Sequence, residues 1–260
     1  MNPGPPSDPE PRTASVHGGR FFYTDVGQGP AVVAVHGMPG SARDFRHLGA
    51  GLEPRCRFVR LNLPGFGGTP AELAATTVDA RADFVVAALE ALELRDAVLI
   101  GHSMGGPVAL AAASRAPGRV RALGLLASVG LTPHRLLRRA AGRTWMGRAV
   151  DVPVAGPVLR RVAQRAFRAS GFPASTSPEE VAQTLRVLGV FSFEPVHRAV
   201  AELRLPTLVA FAEDDPFIEP EIARALAAAV PAGPRLSWPI GGHNIQKSHA
   251  AELANALAGM

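Results

Sequence analysis

One turn constrains this chain more than any other segment. Gly101-His102-Ser103-Met104-Gly105 sits between two apolar runs, Ala97-Val98-Leu99-Ile100 and Pro107-Val108-Ala109-Leu110-Ala111-Ala112-Ala113. The first run reads as a buried strand and the second as a helix, so a serine stands at the apex of a sharp strand–turn–helix. Glycines two residues before and after it let the backbone bend without a Cβ clash. The hydroxyl is held at the N-terminal end of a helix, where free N–H groups favour developing negative charge.

Around this turn the chain alternates strand and helix signals. Phe21 to Val26 and Ala31 to Val35 read as strands, and the second is a continuous apolar run typical of a strand buried on both faces. Ser41 to Leu52 is weakly helical. Cys56 to Leu61 reads as a strand, ended by Pro64-Gly65-Phe66-Gly67-Gly68. Thr77 to Leu94 has helical spacing, with Phe84, Ala88, Leu89 and Leu92 on one stripe. Val120 to Ala127 and Thr207 to Phe211 are further strands, followed by a helix from Ile222 to Val230, a strand from Arg235 to Ile240 and a helix from Ser248 to Leu257. This pattern predicts an α/β fold, a doubly wound and mostly parallel sheet with reactive groups at the carboxyl ends of its strands.

The alternation breaks between Ala127 and Thr207, a stretch far longer than an ordinary connection. Leu136, Leu137, Ala140, Ala141 and Trp145 suggest one amphipathic helix there, and Pro157 to Phe167 and Pro178 to Phe191 two more. The domain plan is therefore a tail over 1–13, a core over 14–128 and 204–260, and an inserted helical lid over 129–203. The lid's many arginines read as a solvated face, with docking on a membrane surface as the alternative.

Composition narrows the function classes. The chain has 260 residues, 47% hydrophobic and 19% charged, which suits one large globular α/β domain. Its net charge is +5, but Lys247 is the only lysine and no nucleic-acid-binding motif accompanies the arginines, so nucleic acid is not an expected partner. The single cysteine, Cys56, excludes an intramolecular disulfide, and no Cys/His spacing suggests a metal. The Pro-rich start lacks the apolar run of a signal peptide, and no segment is apolar enough to span a bilayer; a cytoplasmic location is the default expectation. Oligomeric state leaves no trace in the sequence.

A nucleophilic serine needs a base, and the base needs an acid to orient it. His243, in Gly241-Gly242-His243, follows one predicted strand; Asp214 and Asp215 follow another. Either aspartate suits the acid, and Glu213 reads as solvent-facing. Of the other histidines, His102 would point away from the serine and His36 organises its own loop. His134, His197 and His249 read as surface groups, the first two with a pocket role as the alternative. The oxyanion needs two N–H donors. Met104 supplies one, and the loop His36-Gly37-Met38-Pro39-Gly40 supplies the other through Met38, since Pro39 has no N–H.

These pieces, in this order, resemble the α/β-hydrolase superfamily from about Phe21 to the end of the chain. The resemblance rests on His36-Gly37-Met38-Pro39-Gly40, Leu63-Pro64-Gly65-Phe66-Gly67, Gly101-His102-Ser103-Met104-Gly105-Gly106, the acid segment and Gly242-His243. The family's acid usually stands three residues after a glycine. Ala212 holds that position here, which points to Asp215 with Asp214 as the alternative. The resemblance also favours Met38 as oxyanion donor. Ser103 disfavours the family's aspartate-nucleophile members, the haloalkane dehalogenases and epoxide hydrolases. His102 stands where carbon–carbon bond hydrolases often carry asparagine.

The expected activity is hydrolysis of an ester or thioester of a small or medium apolar acyl group through an acyl-enzyme, carboxylesterase-like and without a cofactor. Ser103, Asp215 and His243 are the expected catalytic residues. Leu136, Trp145, Phe167, Phe191 and Phe193 are the candidate lining of the substrate pocket. A lactonase, a cofactor-free haloperoxidase or a carbon–carbon bond hydrolase is the alternative within the fold. A ligand-binding receptor with a slow or idle triad is the alternative from another class.

Overall fold

A computed structural model of the chain describes residues 8–140, 145–169, 172 and 174–260, with backbone alone at Leu136, Arg139 and Ala140. Strands β1 (Arg12–Val16), β2 (Gly19–Val26), β3 (Ala31–Val35), β4 (Arg57–Leu61), β5 (Ala97–His102), β6 (Val120–Leu126), β7 (Thr207–Ala212) and β8 (Arg235–Trp238) form one sheet. Their order is β1-β2-β4-β3-β5-β6-β7-β8, antiparallel at β1–β2 and β2–β4 and parallel elsewhere. The chain therefore has the α/β architecture that its alternation predicts.

Period-two alternation divides the core between the two faces of the sheet. Val33 and Val35 of β3 and Leu99 of β5 join one cluster, covered by α2 (Val78–Ala91) and α3 (Gly105–Arg115). Val32, Ala34, Val98 and Ile100 join the other, under α1 (Arg46–Leu52) and the closing helix Ala250–Ala258. The Thr77 hydroxyl caps α2 by accepting the Ala80 N–H, and Phe84, Ala88 and Leu89 of its predicted stripe are buried. Cys56 is a buried free thiol just before β4.

Two boundaries differ from expectation. The first strand begins at Arg12, inside the stretch 1–13 expected as a tail. Only Val16 of its five residues is buried, so the segment carries little apolar signal. It forms because His17 (φ 50°) and Gly18 (φ 79°) turn it back onto β2 as a tight hairpin. The last strand stops at Trp238, since Pro239 follows and Ile240 is exposed.

Between β6 and β7 the chain inserts α4 (Arg135–Ala140), α5 (Met146–Ala149), α6 (Gly156–Ala169), α7 (Pro178–Val190) and α8 (Glu194–Glu202). Val150, Val181, Ala182 and Leu185 form a small core of their own, with Met146, Ala163 and Phe167 packed on it. Helix α7 starts with a Ser177–Glu180 capping box and Pro178 in its first turn. Helix α8, which the sequence reading missed, returns to the body: Val196 and Ala199 join the main core and Arg198 pairs with Asp79 of α2. The closing helices are α9 (Pro220–Ala229), α10 (Ile245–Ser248) and α11 (Ala250–Ala258). Among the described residues no helix is long and apolar enough to cross a membrane.

Candidate active site

Strand β5 and helix α3 meet at Ser103, whose φ of 54° lies in the left-handed region. A non-glycine residue there costs about 1–3 kcal/mol and persists only where its surroundings fix it. They do so here. The Ser103 N–H donates to the Leu126 carbonyl (3.0 Å), and its own carbonyl accepts from Gly106 (3.0 Å) and Val129 (3.2 Å). The flanking glycines are required by close approach. A Cβ on Gly105 would lie 2.5 Å from the carbonyl oxygens of Val35 and His36, and one on Gly101 2.7 Å from the Gly106 Cα.

His243 reaches this serine from the loop after β8. Its Nε2 lies 2.9 Å from Ser103 Oγ, and its Nδ1 lies 2.7 Å from Asp215 Oδ2. Asp215, after β7, is buried, and its Oδ1 accepts the N–H groups of Phe217 (2.8 Å) and Ile218 (3.1 Å). Burial works to raise its pKa. The His243 ring and the two backbone N–H groups more than offset that, holding the carboxyl below its usual range. The sequence therefore brings Ser103, His243 and Asp215 into one hydrogen-bonded chain from three separate strand ends.

Asp214, the alternative acid, does something else. It is exposed and its Oδ1 accepts the N–H groups of Gly241 (2.9 Å) and Gly242 (2.7 Å), which anchors the histidine loop. Glu213 is exposed and pairs with Arg224. His102 holds the same loop from below, donating from Nε2 to the His243 carbonyl (2.9 Å). Burial, with the neighbouring His243, lowers the His102 pKa to about 3. His36 donates from Nδ1 to the Gly37 carbonyl (2.6 Å) and accepts the Leu63 N–H on Nε2 (3.0 Å), tying two loops together. His197 is exposed, whereas His249 departs from its expected surface role: its ring stacks on Trp238 with centroids 4.2 Å apart.

The loop after β3 runs directly beside the serine, since a Cβ on Gly37 would come within 2.9 Å of the Ser103 Cβ. Among the described residues the N–H groups of Met38 and Met104 have no hydrogen-bond acceptor. Both flank a cavity of about 630 Å³ that includes Ser103, His102 and His243 in its wall. The insertion supplies an apolar side, with Met146, Phe167, Phe172, Leu185 and Leu188.

The expected pocket residues separate. Phe167 lines this cavity. Trp145 does not: it is 60% exposed and borders a second cavity of about 360 Å³ with Arg148 and Arg186. Phe191 and Phe193 also lie off the cavity, packed edge to face (5.0 Å, 88°) at the turn from α7 to α8 and against the main core. The Leu136 side chain falls outside the described residues. His134, expected on the surface, is buried in the cavity wall, and burial lowers its pKa to about 4 against the opposing pull of the Phe217 backbone. Phe217 was also missed, although it stands two residues after the acid; its ring meets His243 edge-on at 5.1 Å. Among the described residues no three His, Cys, Asp or Glu side chains are grouped as a metal site requires.

Fold and site together define a class. Residues 30–153 match the family described as alpha/beta hydrolase fold. An α/β-hydrolase fold protein from Burkholderia ambifaria superposes with a TM-score of 0.77 at 22% identity, over 96% of this chain and 97% of that one. The chain has the α/β-hydrolase fold, and its residues 30–153 match that family.

Two curated relatives match over a shorter stretch. The dihydrolipoyllysine-residue acetyltransferase component of the acetoin cleaving system of Pseudomonas putida is 37% identical over 125 residues, 47% of this chain and 34% of that protein. The uncharacterized hydrolase YugF of Bacillus subtilis strain 168 is 36% identical over 125 residues, 46% of this chain and 45% of that protein. The chain thus spans about a third to under half of the full length of these two relatives.

Proposed function

We propose that this protein is a serine hydrolase that cleaves esters or thioesters of apolar acyl groups through an acyl-enzyme. The observation that carries this reading is the unbroken hydrogen-bonded chain Ser103–His243–Asp215 at the wall of a partly apolar cavity. Ser103 Oγ attacks the acyl carbonyl while His243 Nε2 takes its proton. The Asp215 carboxylate fixes the imidazole with its proton on Nδ1 and stabilises the imidazolium that forms. The free N–H groups of Met38 and Met104 receive the oxyanion. His243 then protonates the leaving group, and water repeats the sequence on the acyl-enzyme. The inserted helices act as a lid whose apolar side receives the acyl chain.

The test is covalent. The wild-type protein is expected to be labelled by a fluorophosphonate probe and to hydrolyse para-nitrophenyl butyrate. Ser103→Ala is expected to lose the label and to cut turnover by about 10⁵ or more. Labelling or turnover that survives the substitution rejects Ser103 as nucleophile.

A further inference from the structure

The cavity has a second wall of opposite character. Arg46 and His47 open α1, and Gln246 and Lys247 lie on α10, which packs against α1; all four line the cavity that holds Ser103. The Lys247 ammonium has no ion pair or hydrogen bond with any described residue. Among the described residues Arg46 makes one hydrogen bond, to the Arg43 carbonyl, and no ion pair within bonding distance, although its charge is felt by Asp44. Of the carboxylates nearby, Asp44 lines the same cavity but is engaged by the Ser41 N–H (3.1 Å), and burial raises its pKa to about 6. Glu180 stands behind Asp44 and is engaged in capping α7. Across the cavity, the Arg135 guanidinium donates to the Pro216 carbonyl (3.4 Å), while Glu219 accepts the Arg135 backbone N–H and pairs with Arg138.

Two buried polar atoms on this wall lack partners among the described residues: His47 Nε2 and Gln246 Oε1, the latter on a side chain that is 1% exposed. Buried polar groups are paired in nearly all native structures, so a wall that leaves two open is built for a polar occupant. Burial and the adjacent Arg46 and Lys247 all lower the His47 pKa. Lys247 is also the only lysine in a chain that otherwise uses arginine throughout.

We infer that the cavity is divided, with the insertion taking an apolar acyl group and Arg46, His47, Gln246 and Lys247 taking a leaving group that carries a carboxylate or phosphate. The sides follow from the chemistry. This inference rests on the serine-hydrolase reading, in which His243 must face the leaving-group atom that it protonates. The chain runs from His243 through Asn244 into Gln246 and Lys247, so the leaving group departs along the cationic wall.

The experiment measures binding apart from turnover. With the Ser103→Ala protein, calorimetry compares para-butyramidobenzoate with its methyl ester, which differ in one negative charge. The carboxylate is expected to bind roughly five- to tenfold tighter, the size expected of pairing with incompletely buried cations, and to lose that advantage in high salt. In Arg46→Gln/Lys247→Gln the ratio is expected to fall to about one, whereas Lys247→Arg retains it. Equal binding of the charged and neutral ligands, or a ratio that survives the double substitution, overturns the inference. Wild-type kcat/KM for para-butyryloxybenzoate against its methyl ester, and for butyryl thioesters of phosphopantetheine against pantetheine, then separates carboxylate from phosphate as the preferred anion. Absence of turnover and of fluorophosphonate labelling, alongside a preserved binding ratio, refutes the hydrolase reading and leaves the anion subsite standing.

Discussion

Replacing Asp215 with Asn isolates what the acid does, because the structure dictates how the amide must sit. Oδ1 of Asp215 accepts two backbone N–H groups, from Phe217 and Ile218, while Oδ2 faces His243 Nδ1. An asparagine that kept its oxygen on the two N–H donors would turn its NH₂ toward Nδ1. Nδ1 would then have to accept, the ring proton would move to Nε2, and a donor would face Ser103 Oγ in place of a base. Recovering the productive tautomer requires flipping the amide and forfeiting both backbone bonds. At about 1–3 kcal/mol for each buried donor left unpaired, that costs roughly 2–6 kcal/mol. The lost negative charge beside the imidazolium adds to it, so kcat is expected to fall by about 10⁴. Stopped-flow or steady-state hydrolysis of para-nitrophenyl butyrate measures this. Asp214→Asn serves as the internal comparison: it keeps an oxygen for Gly241 and Gly242 and is expected to change kcat by less than about fivefold. An Asp215→Asn enzyme with more than a tenth of wild-type kcat, or an Asp214→Asn enzyme that is the more damaged of the two, would refute the reasoning.

Three other perturbations have defined outcomes. Gly105→Ala drives a methyl to 2.5 Å from the Val35 and His36 carbonyls, and is expected to destabilise the fold by about 1–3 kcal/mol and to displace the Met104 N–H; a urea melt and kcat on the same preparation would expose an unstrained substitution. His36, His102 and His134 have folded pKa values lowered from 6.5 to about 4, 3 and 4, so their stabilisation is full above pH 6.5 and is lost as the pH falls toward those values. Between pH 7 and pH 5 each of the three loses about 2 kcal/mol, Asp44 with its raised pKa returns about 1, and the net loss of about 4–5 kcal/mol should appear in urea melts at the two pH values; equal stability at both contradicts it. Phe167→Ala enlarges the apolar side of the cavity and is expected to raise kcat/KM for longer acyl chains relative to butyryl by roughly tenfold, and an unaltered chain-length profile would remove Phe167 from the acyl site.

What the sequence discloses depends on where a residue stands relative to a strand end. β3, β5 and β7 are continuous apolar runs, and Ser103, Asp215 and the His36 to Gly40 loop follow them within a few residues, so strand and site are readable together. His243 is readable for a similar reason, its glycines marking a loop after β8. β1 is not, because four of its five residues face partly or fully outward and its pairing depends on a hairpin turn. The pocket is harder still. Inside the insertion an aromatic residue on an amphipathic helix tells which residues share a face, but not what that face meets. Phe167 turns to the cavity, Trp145 turns to solvent, and Phe191 and Phe193 pack on each other between α7 and α8. His134 looks like a surface histidine until the loop carrying Phe217 closes over it.

The same division governs what kinship can transfer. The stretch matching the family, 30–153, contains Met38, Ser103 and Met104, but ends before α6, α7, Asp215, His243 and Lys247. Ser103, its turn and the His36 to Gly40 loop are fixed by backbone contacts among β3, β5 and α3, where a single added methyl is refused. The apolar side of the cavity comes largely from the insertion, and the cationic side is completed by the helix after His243. The segment Asp215 to Ile218 links the two sides. Asp215 holds the imidazole, the Phe217 and Ile218 N–H groups hold Asp215, and the Phe217 ring lies against His243 and stacks on Phe172 (5.6 Å, 20°), which in turn meets Phe167 of α6 (5.1 Å). The ring chain thus connects Phe167 of α6 to His243 through Phe172 and Phe217. Helices α6 and α7 of the insertion and the α10 part of the cationic wall lie outside the stretch 30–153 that the family model matches, so the family match by itself carries no substrate identity.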